Sequence, residues 1–252
     1  MSVPPPSSTP SASSVPLVSL DDLRAKLEDC RRCQLSETRT NVVFGVGNPH
    51  AEVMFIGEAP GKNEDLGAEP FIGAAGQYLN SLLALAGLKR EEIYIANVLK
   101  CRPPENRDPH PEEIEVCTPF LREQVRIINP EILVTLGNFA TRFILKTDRG
   151  ITGLRGQVHI TGRFSVLPIF HPAAAIYDRA KGPIMEADFA LLGRLIAKRR
   201  EERSQKTTVE GVRPQEIDGD GSLADGSPTD GSLAEGSPAS GSPTSGDGSS
   251  KI

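Results

Sequence analysis

The sequence predicts an α/β domain, a three-layer α/β/α fold around a central, mostly parallel four-stranded sheet. Three observations predict it. Four short apolar runs rich in β-branched residues occupy the middle of the 252-residue chain, stretches of helical period separate them, and both ends have compositions from which no core could be built.

Residues 1–20 read MSVPPPSSTPSASSVPLVSL before the first acidic pair, Asp21-Asp22. They lack both a basic region and a continuous apolar stretch, which excludes a signal peptide and a membrane span and points to a cytoplasmic chain. This segment is expected to be disordered. The first apolar run, Val53–Gly57 (VMFIG), is followed by a stretch of helical period over Gly76–Ala86, with Leu79, Leu82, Leu83 and Ala86 on one face. The second, Ile93–Val98 (IYIANV), leads to Pro111–Ile128. That helix opens on Pro-Glu-Glu, as helix starts do, and repeats Ile114, Cys117, Leu121, Val125 and Ile128. The third, Ile132–Leu136 (ILVTL), precedes a short helix over Asn138–Leu145. The fourth, Val166–Phe170 (VLPIF), precedes a helix over Ile184–Arg200 with Leu191, Leu192, Leu195 and Ile196. Strands apolar throughout and alternating with helices imply a parallel sheet covered on both faces. Chemistry in such a sheet collects in the loops at the carboxyl ends of its strands.

The domain is therefore expected over residues 21–200. Residues 201–252 form a Gly-Ser tract broken by Ala, Pro, Thr, Asp and Glu, which cannot bury enough apolar surface to offset its ordering entropy; disorder is expected there too. The formal charge of −5 misleads, because the tail holds ten acids and four bases, leaving 23 acids against 24 bases in the rest. A near-neutral domain has no bulk attraction for nucleic acid, so any such contact must come from a local patch.

Cys30 and Cys33 form a C-x2-C pair, and Cys101 and Cys117 follow. Four cysteines in a Cys-poor chain with no secretion signal suggest a tetrathiolate metal site rather than disulfides. Zinc and a [4Fe-4S] cluster both accept four thiolates. The long gap between Cys33 and Cys101 departs from a compact zinc ribbon and favours the cluster.

The loops after three of the four strands are unusual. The first carries Glu58-Ala59-Pro60-Gly61-Lys62-Asn63-Glu64-Asp65, small residues around carboxylates, then Glu69-Pro70-Phe71-Ile72-Gly73. Asn97 ends the second strand, and its amide, donor and acceptor together, suits the edge of a pyrimidine. The fourth ends in Phe170-His171-Pro172-Ala173-Ala174-Ala175-Ile176-Tyr177-Asp178-Arg179. The first loop lacks the G-x4-G-K-[ST] order of a phosphate cradle. A non-catalytic nucleic-acid-binding module would leave Glu58, Asn97 and His171 without a purpose.

The C-x2-C pair, GEAPG with its following ED, EPFIGAAG, NVLKCRPPENRDPHPEE, the later cysteines and HPAAA, in this order from about Leu23 to Ala197, resemble the family 4 uracil-DNA glycosylases, the iron–sulfur branch of that superfamily. The resemblance implies a [4Fe-4S] cluster on Cys30, Cys33, Cys101 and Cys117, and hydrolysis of the N-glycosidic bond of uracil in single- or double-stranded DNA by a monomer. It implies that Phe71 stacks on the extruded uracil, that Asn97 recognises its edge and that His171 lies beside its O2. Glu58 and Ala59 would lie under sugar and base, with Glu64 a further acidic candidate. Ala173, Ala174 and Ala175 would belong to the wedge entering the duplex, and Arg179 would hold a phosphate. This sequence departs from the best-known uracil glycosylases in having no Asp in the first motif to orient water. Ala59 in place of Gln also sets it apart from the relative that stays covalently attached to its DNA.

Overall fold

A computed structural model describes residues 19–210, with side chains through Ser204 and Gln205; the two expected disordered segments fall largely outside it, at 1–18 and 211–252. Strand β1 (Val46–Gly47) is followed by β2 (Val53–Gly57), β3 (Tyr94–Asn97), β4 (Ile132–Leu136), β5 (His159–Thr161) and β6 (Phe164–Ile169). They form one sheet in the order β1-β3-β2-β4-β6-β5. The four expected strands are its parallel centre, with Phe55 opposite both Ile95 and Val134, and Val134 opposite Leu167. The sheet has six strands rather than four, because β1 and β5 pair antiparallel along its two edges. At two and three residues they are too short to show a periodicity.

Alternation along β2 builds both faces. Val53 and Phe55 point into one core layer with Leu79, Leu82 and Leu83 of helix α4 (Ala74–Leu85) and Met185, Phe189, Leu192 and Ile196 of helix α9 (Lys181–Glu210). The rings of Phe55 and Phe189 stack with centroids 6.1 Å apart. Met54 and Ile56 point the other way, onto Leu121 and Ile128 of helix α5 (Pro111–Ile128) and Ala140 of helix α6 (Gly137–Leu145). Helix α5 starts where Pro111 predicts, and the carboxylate of Glu113 accepts the N–H of His110 at 2.8 Å in a capping box.

Helix α9 continues ten residues past the boundary expected at Arg200. Its continuation has no apolar face to announce it and is tied to the sheet by charge. Arg200 and Arg203 bind Glu52 at 2.8 and 3.2 Å, and Arg203 also binds Glu131 at 2.8 Å. Both carboxylates immediately precede the amino ends of β2 and β4.

At the other end of the strands lie the short helices α3 (Lys62–Gly67) and α8 (Ala173–Tyr177), with α1 (Leu20–Ala25), α2 (Leu35–Thr38) and α7 (Ile151–Leu154) elsewhere on the domain. The buried Asp65 of α3 accepts the backbone N–H groups of Thr40 and Asn41 at 2.9 and 3.2 Å, fastening the segment after the C-x2-C pair to this end of the sheet.

Candidate active site at the strand ends

The carboxyl ends of β2, β3 and β6 converge on a cavity of about 350 Å³ whose lining includes Glu58, Ala59, Glu64, Phe71, Asn97 and His171. Its shape depends on residues without side chains. A Cβ on Gly57 would come within 2.3 Å of Asn97 Oδ1 and 3.0 Å of the Phe71 ring, so only glycine lets β2 end beneath them. Phe71 is buried, in a left-handed conformation (φ 55°) that side chains rarely adopt. The loop around it is held by Glu64, whose Oε1 accepts the N–H groups of Ile72 at 3.2 Å and Gly73 at 2.9 Å. The Phe71 ring lies 5.4 Å from the His171 imidazole, tilted by 31°.

Asn97 is almost fully buried at the end of β3. Its Oδ1 alone, among buried side-chain polar atoms of the described residues, has no hydrogen-bond partner. Buried acceptors are nearly always satisfied, and this one lies in the cavity wall, where a bound group can supply the missing donor. Its backbone is secured from below by Lys100. The fully buried Nζ of Lys100 donates to the Asn97 carbonyl at 2.8 Å and to Gln124 Oε1 at 2.6 Å. Burial pulls the Lys100 pKa down to about 8, against the opposing pull of Cys117 and Cys101.

His171 Nδ1 accepts the Ala173 N–H at 3.2 Å, which leaves the proton of a neutral imidazole on Nε2. Desolvation lowers its pKa to about 4, with Glu64 pulling weakly the other way, so the ring is neutral at pH 7. Glu58 is partly buried, and desolvation followed by repulsion from Asp108 raises its pKa above the ordinary carboxylate value.

The four cysteines lie on the side of the sheet tied to the N-terminal segment. Buried Cys101 packs with Leu35 and Leu99, and Cys33 and Cys117 lie against the same group. Cys30 packs beside Leu23, Leu27 and Phe120. Among the described residues no three His, Cys, Asp or Glu groups are drawn together as around a single ion. The thiols nevertheless share one electrostatic neighbourhood: Cys33 acts on Cys101 and Cys117, and Cys30 on Cys33 and Cys117. Donors are already aimed at two sulfurs, the Lys100 N–H at Cys117 Sγ (3.3 Å) and Arg39 Nη1 at Cys101 Sγ (3.5 Å). Burial pushes the Cys101 thiol up to about 12.

The sequence profile of the Uracil DNA glycosylase superfamily matches residues 44–192. The type-4 uracil-DNA glycosylase of Archaeoglobus fulgidus is 47% identical over 189 residues, 72% of this chain and 95% of that protein. The chain belongs to the type-4 uracil-DNA glycosylases. Type-4 enzymes of Sulfurisphaera tokodaii and Saccharolobus solfataricus are 43% and 41% identical over 180 and 179 residues, each 68% of this chain and 82% and 83% of theirs.

In this type-4 glycosylase Glu58, Ala59, Glu64, Phe71, Asn97, His171 and Ala173 line one cavity. Ala174, Ala175 and Arg179 do not reach it. Ala175 and Arg179 border a separate groove of about 270 Å³ with Tyr78 and Ile176, and Ala174 packs against the core. Among the lining residues given no role from the sequence, two are polar, Asn106 and Arg107. Asn106 follows Glu105 through a turn in which both have positive φ, and its Oδ1 accepts Arg102 Nε at 2.8 Å. Arg107 forks onto Glu113 at 2.6 and 3.0 Å. The only signal for them was the polar stretch after Pro103-Pro104.

Proposed function

We propose that this chain excises uracil from DNA, with Phe71, Asn97 and His171 holding the extruded base and Glu58 acting at the sugar. The unpartnered Asn97 Oδ1 in the cavity wall carries the reading. Uracil presents an N3–H donor beside an O4 acceptor, and a fixed amide offers the complementary acceptor and donor. Cytosine presents the reverse and would leave buried polar groups opposed. The Phe71 ring supplies a face for stacking, which excludes water from one side of the base.

Cleavage breaks the bond between C1′ and N1, leaving the electron pair on uracil and positive charge on the sugar. His171, its proton held on Nε2, donates to O2 of the departing anion, as donors in an oxyanion hole do. Glu58 is favoured over Glu64 as the carboxylate that stabilises the sugar cation or orients water, because one Glu64 oxygen is already engaged by two backbone N–H groups. Ala173, Ala174 and Ala175 would face the gap in the helix, and Arg179 a backbone phosphate. One chain supplies the entire cavity, so a monomer suffices on single- or double-stranded DNA. No described helix is long and apolar enough to cross a membrane. On this reading the chain works beside DNA in the cytoplasm.

Cys30, Cys33, Cys101 and Cys117 would hold the [4Fe-4S] cluster. Four coupled thiols in an apolar setting, with N–H donors aimed at sulfur, fit a tetrathiolate group. The cluster would fasten the N-terminal segment to β3 and α5, and its binding energy would count as folding energy. Cys101→Ser is expected to lose iron and visible absorbance together, with a melting temperature several degrees lower. A variant that kept its iron and its melting temperature would contradict this assignment.

The test of the activity is incubation with an oligonucleotide carrying a single uracil, beside a thymine control. Free uracil and alkali-labile breakage only at the uracil are expected; a cluster-loaded preparation that releases none would overturn the reading. The histidine gives a second expectation. Its folded pKa lies below the ordinary 6.5, so the single-turnover rate should show no break near 6.5 and the ring should titrate near pH 4 by NMR. The stability that His171 contributes is complete above 6.5 and declines as pH falls toward about 4, since in that window only the unfolded chain binds the proton. A His171 titrating near 6.5 would remove the neutral-donor role.

A further inference from the structure

We infer that Arg90 is a positioning residue for base stacking, holding Phe71 in its left-handed conformation from a site outside the cavity. This rests on the reading of Phe71 as the stacking ring. Arg90 opens a 3-10 turn, Arg90–Glu92, ahead of β3, and it is not among the residues that line the cavity. Its guanidinium nevertheless spans the loop that carries Phe71. Nη2 donates to the Pro70 carbonyl at 2.7 Å and to Glu69 Oε1 at 3.1 Å, and Nη1 donates to Asn80 Oδ1 on α4 at 3.2 Å.

These contacts complete a clamp. The peptide entering Phe71 is held through the Pro70 carbonyl by Arg90, and the N–H groups leaving it are held by the Glu64 carboxylate. A non-glycine residue at φ 55° stays there only where its surroundings over-determine it. Two charge-assisted anchors on opposite sides of one residue do so. The planar fork of Arg90 meets the loop through Nη2 and α4 through Nη1, two nitrogens in one fixed plane, a geometry that a single ammonium nitrogen does not reproduce. With Arg90 removed, the Pro70–Phe71 peptide is free to turn, and the ring can leave its place beside His171.

The test is a double-mutant cycle of Arg90→Met and Phe71→Ala in the cluster-loaded protein, read out by inhibition of excision by free uracil and by KM and kcat on a uracil oligonucleotide. Methionine keeps the apolar stem and removes the fork. Arg90→Met alone is expected to weaken uracil inhibition and raise KM about tenfold, with a smaller change in kcat, and Arg90→Lys to fall between it and the wild type. In the Phe71→Ala background Arg90→Met should add almost nothing, because the ring it positions is gone. Full additivity, or an unchanged inhibition constant in the single variant, would overturn the inference. If Arg90→Met does not fold, Arg90→Lys carries the same cycle. Wild-type protein that neither releases uracil nor is inhibited by it would instead overturn the proposed activity.

Discussion

Asn97→Ala is expected to reduce uracil excision by about 10²–10³-fold while leaving the melting temperature unchanged, as measured by single-turnover cleavage and thermal denaturation of the same preparation. The two halves of this expectation have one cause. Removing a hydrogen-bonded buried amide normally strands its partner, and that stranding makes such substitutions destabilising. Asn97 Oδ1 has no partner inside the protein to strand. The fold therefore gains little from this atom, whereas a bound uracil would lose the acceptor for its N3–H. Comparable losses of activity and stability would show instead that Asn97 serves the sheet, and the assignment of base recognition would fall.

The second large effect is expected at a position that touches no substrate. Gly76, in the first turns of α4, faces the backbone of Phe71. A Cβ there would sit 1.7 Å from the Phe71 carbonyl oxygen and 2.1 Å from its carbon. Backbone cannot turn aside as a side chain can, so Gly76→Ala must displace either α4 or the loop carrying Phe71. Overpacking of this kind typically costs about 1–3 kcal/mol. Because the displaced element carries the ring proposed to stack on the base, loss of uracil excision should exceed what the stability loss explains. Activity measured well below the melting temperature of the variant checks this, and a variant that is less stable but fully active would refute it.

The sequence announced the centre of the molecule more clearly than its margins. VMFIG and ILVTL are apolar at every position because both faces of β2 and β4 are covered, and such runs stand out from any surface segment. Edge strands of two and three residues leave no comparable pattern, nor does the end of α9, where Arg203 works through Glu52 and Glu131 rather than through an apolar stripe. Of the cavity residues, Asn97 and His171 stood out in the sequence as polar groups at strand ends, whereas Phe71, beyond α3, stood out through the resemblance of its EPFIGAAG motif. Glu64 was visible as a carboxylate, but its grip on N–H groups eight and nine residues away exists only once the loop is folded. Lys100 was hidden by its type. Lysine is almost never fully buried, so a sequence gives no warning of an ammonium enclosed between the Asn97 carbonyl and Gln124.

The two edge strands also bear on how the protein behaves in a crowded solution. A parallel sheet left open would present rows of unpaired N–H and C=O groups, a template on which another chain could add a strand and begin an aggregate. Here β1 covers the β3 side with two residues and β5 the β6 side with three, each running against its neighbour. Gly45 and Gly47, at φ 130° and 129°, bend the first of these out of regular extension on both sides of Val46. Among the described residues both outermost strands are short and one is bent, which makes each a poor template for a strand of another chain.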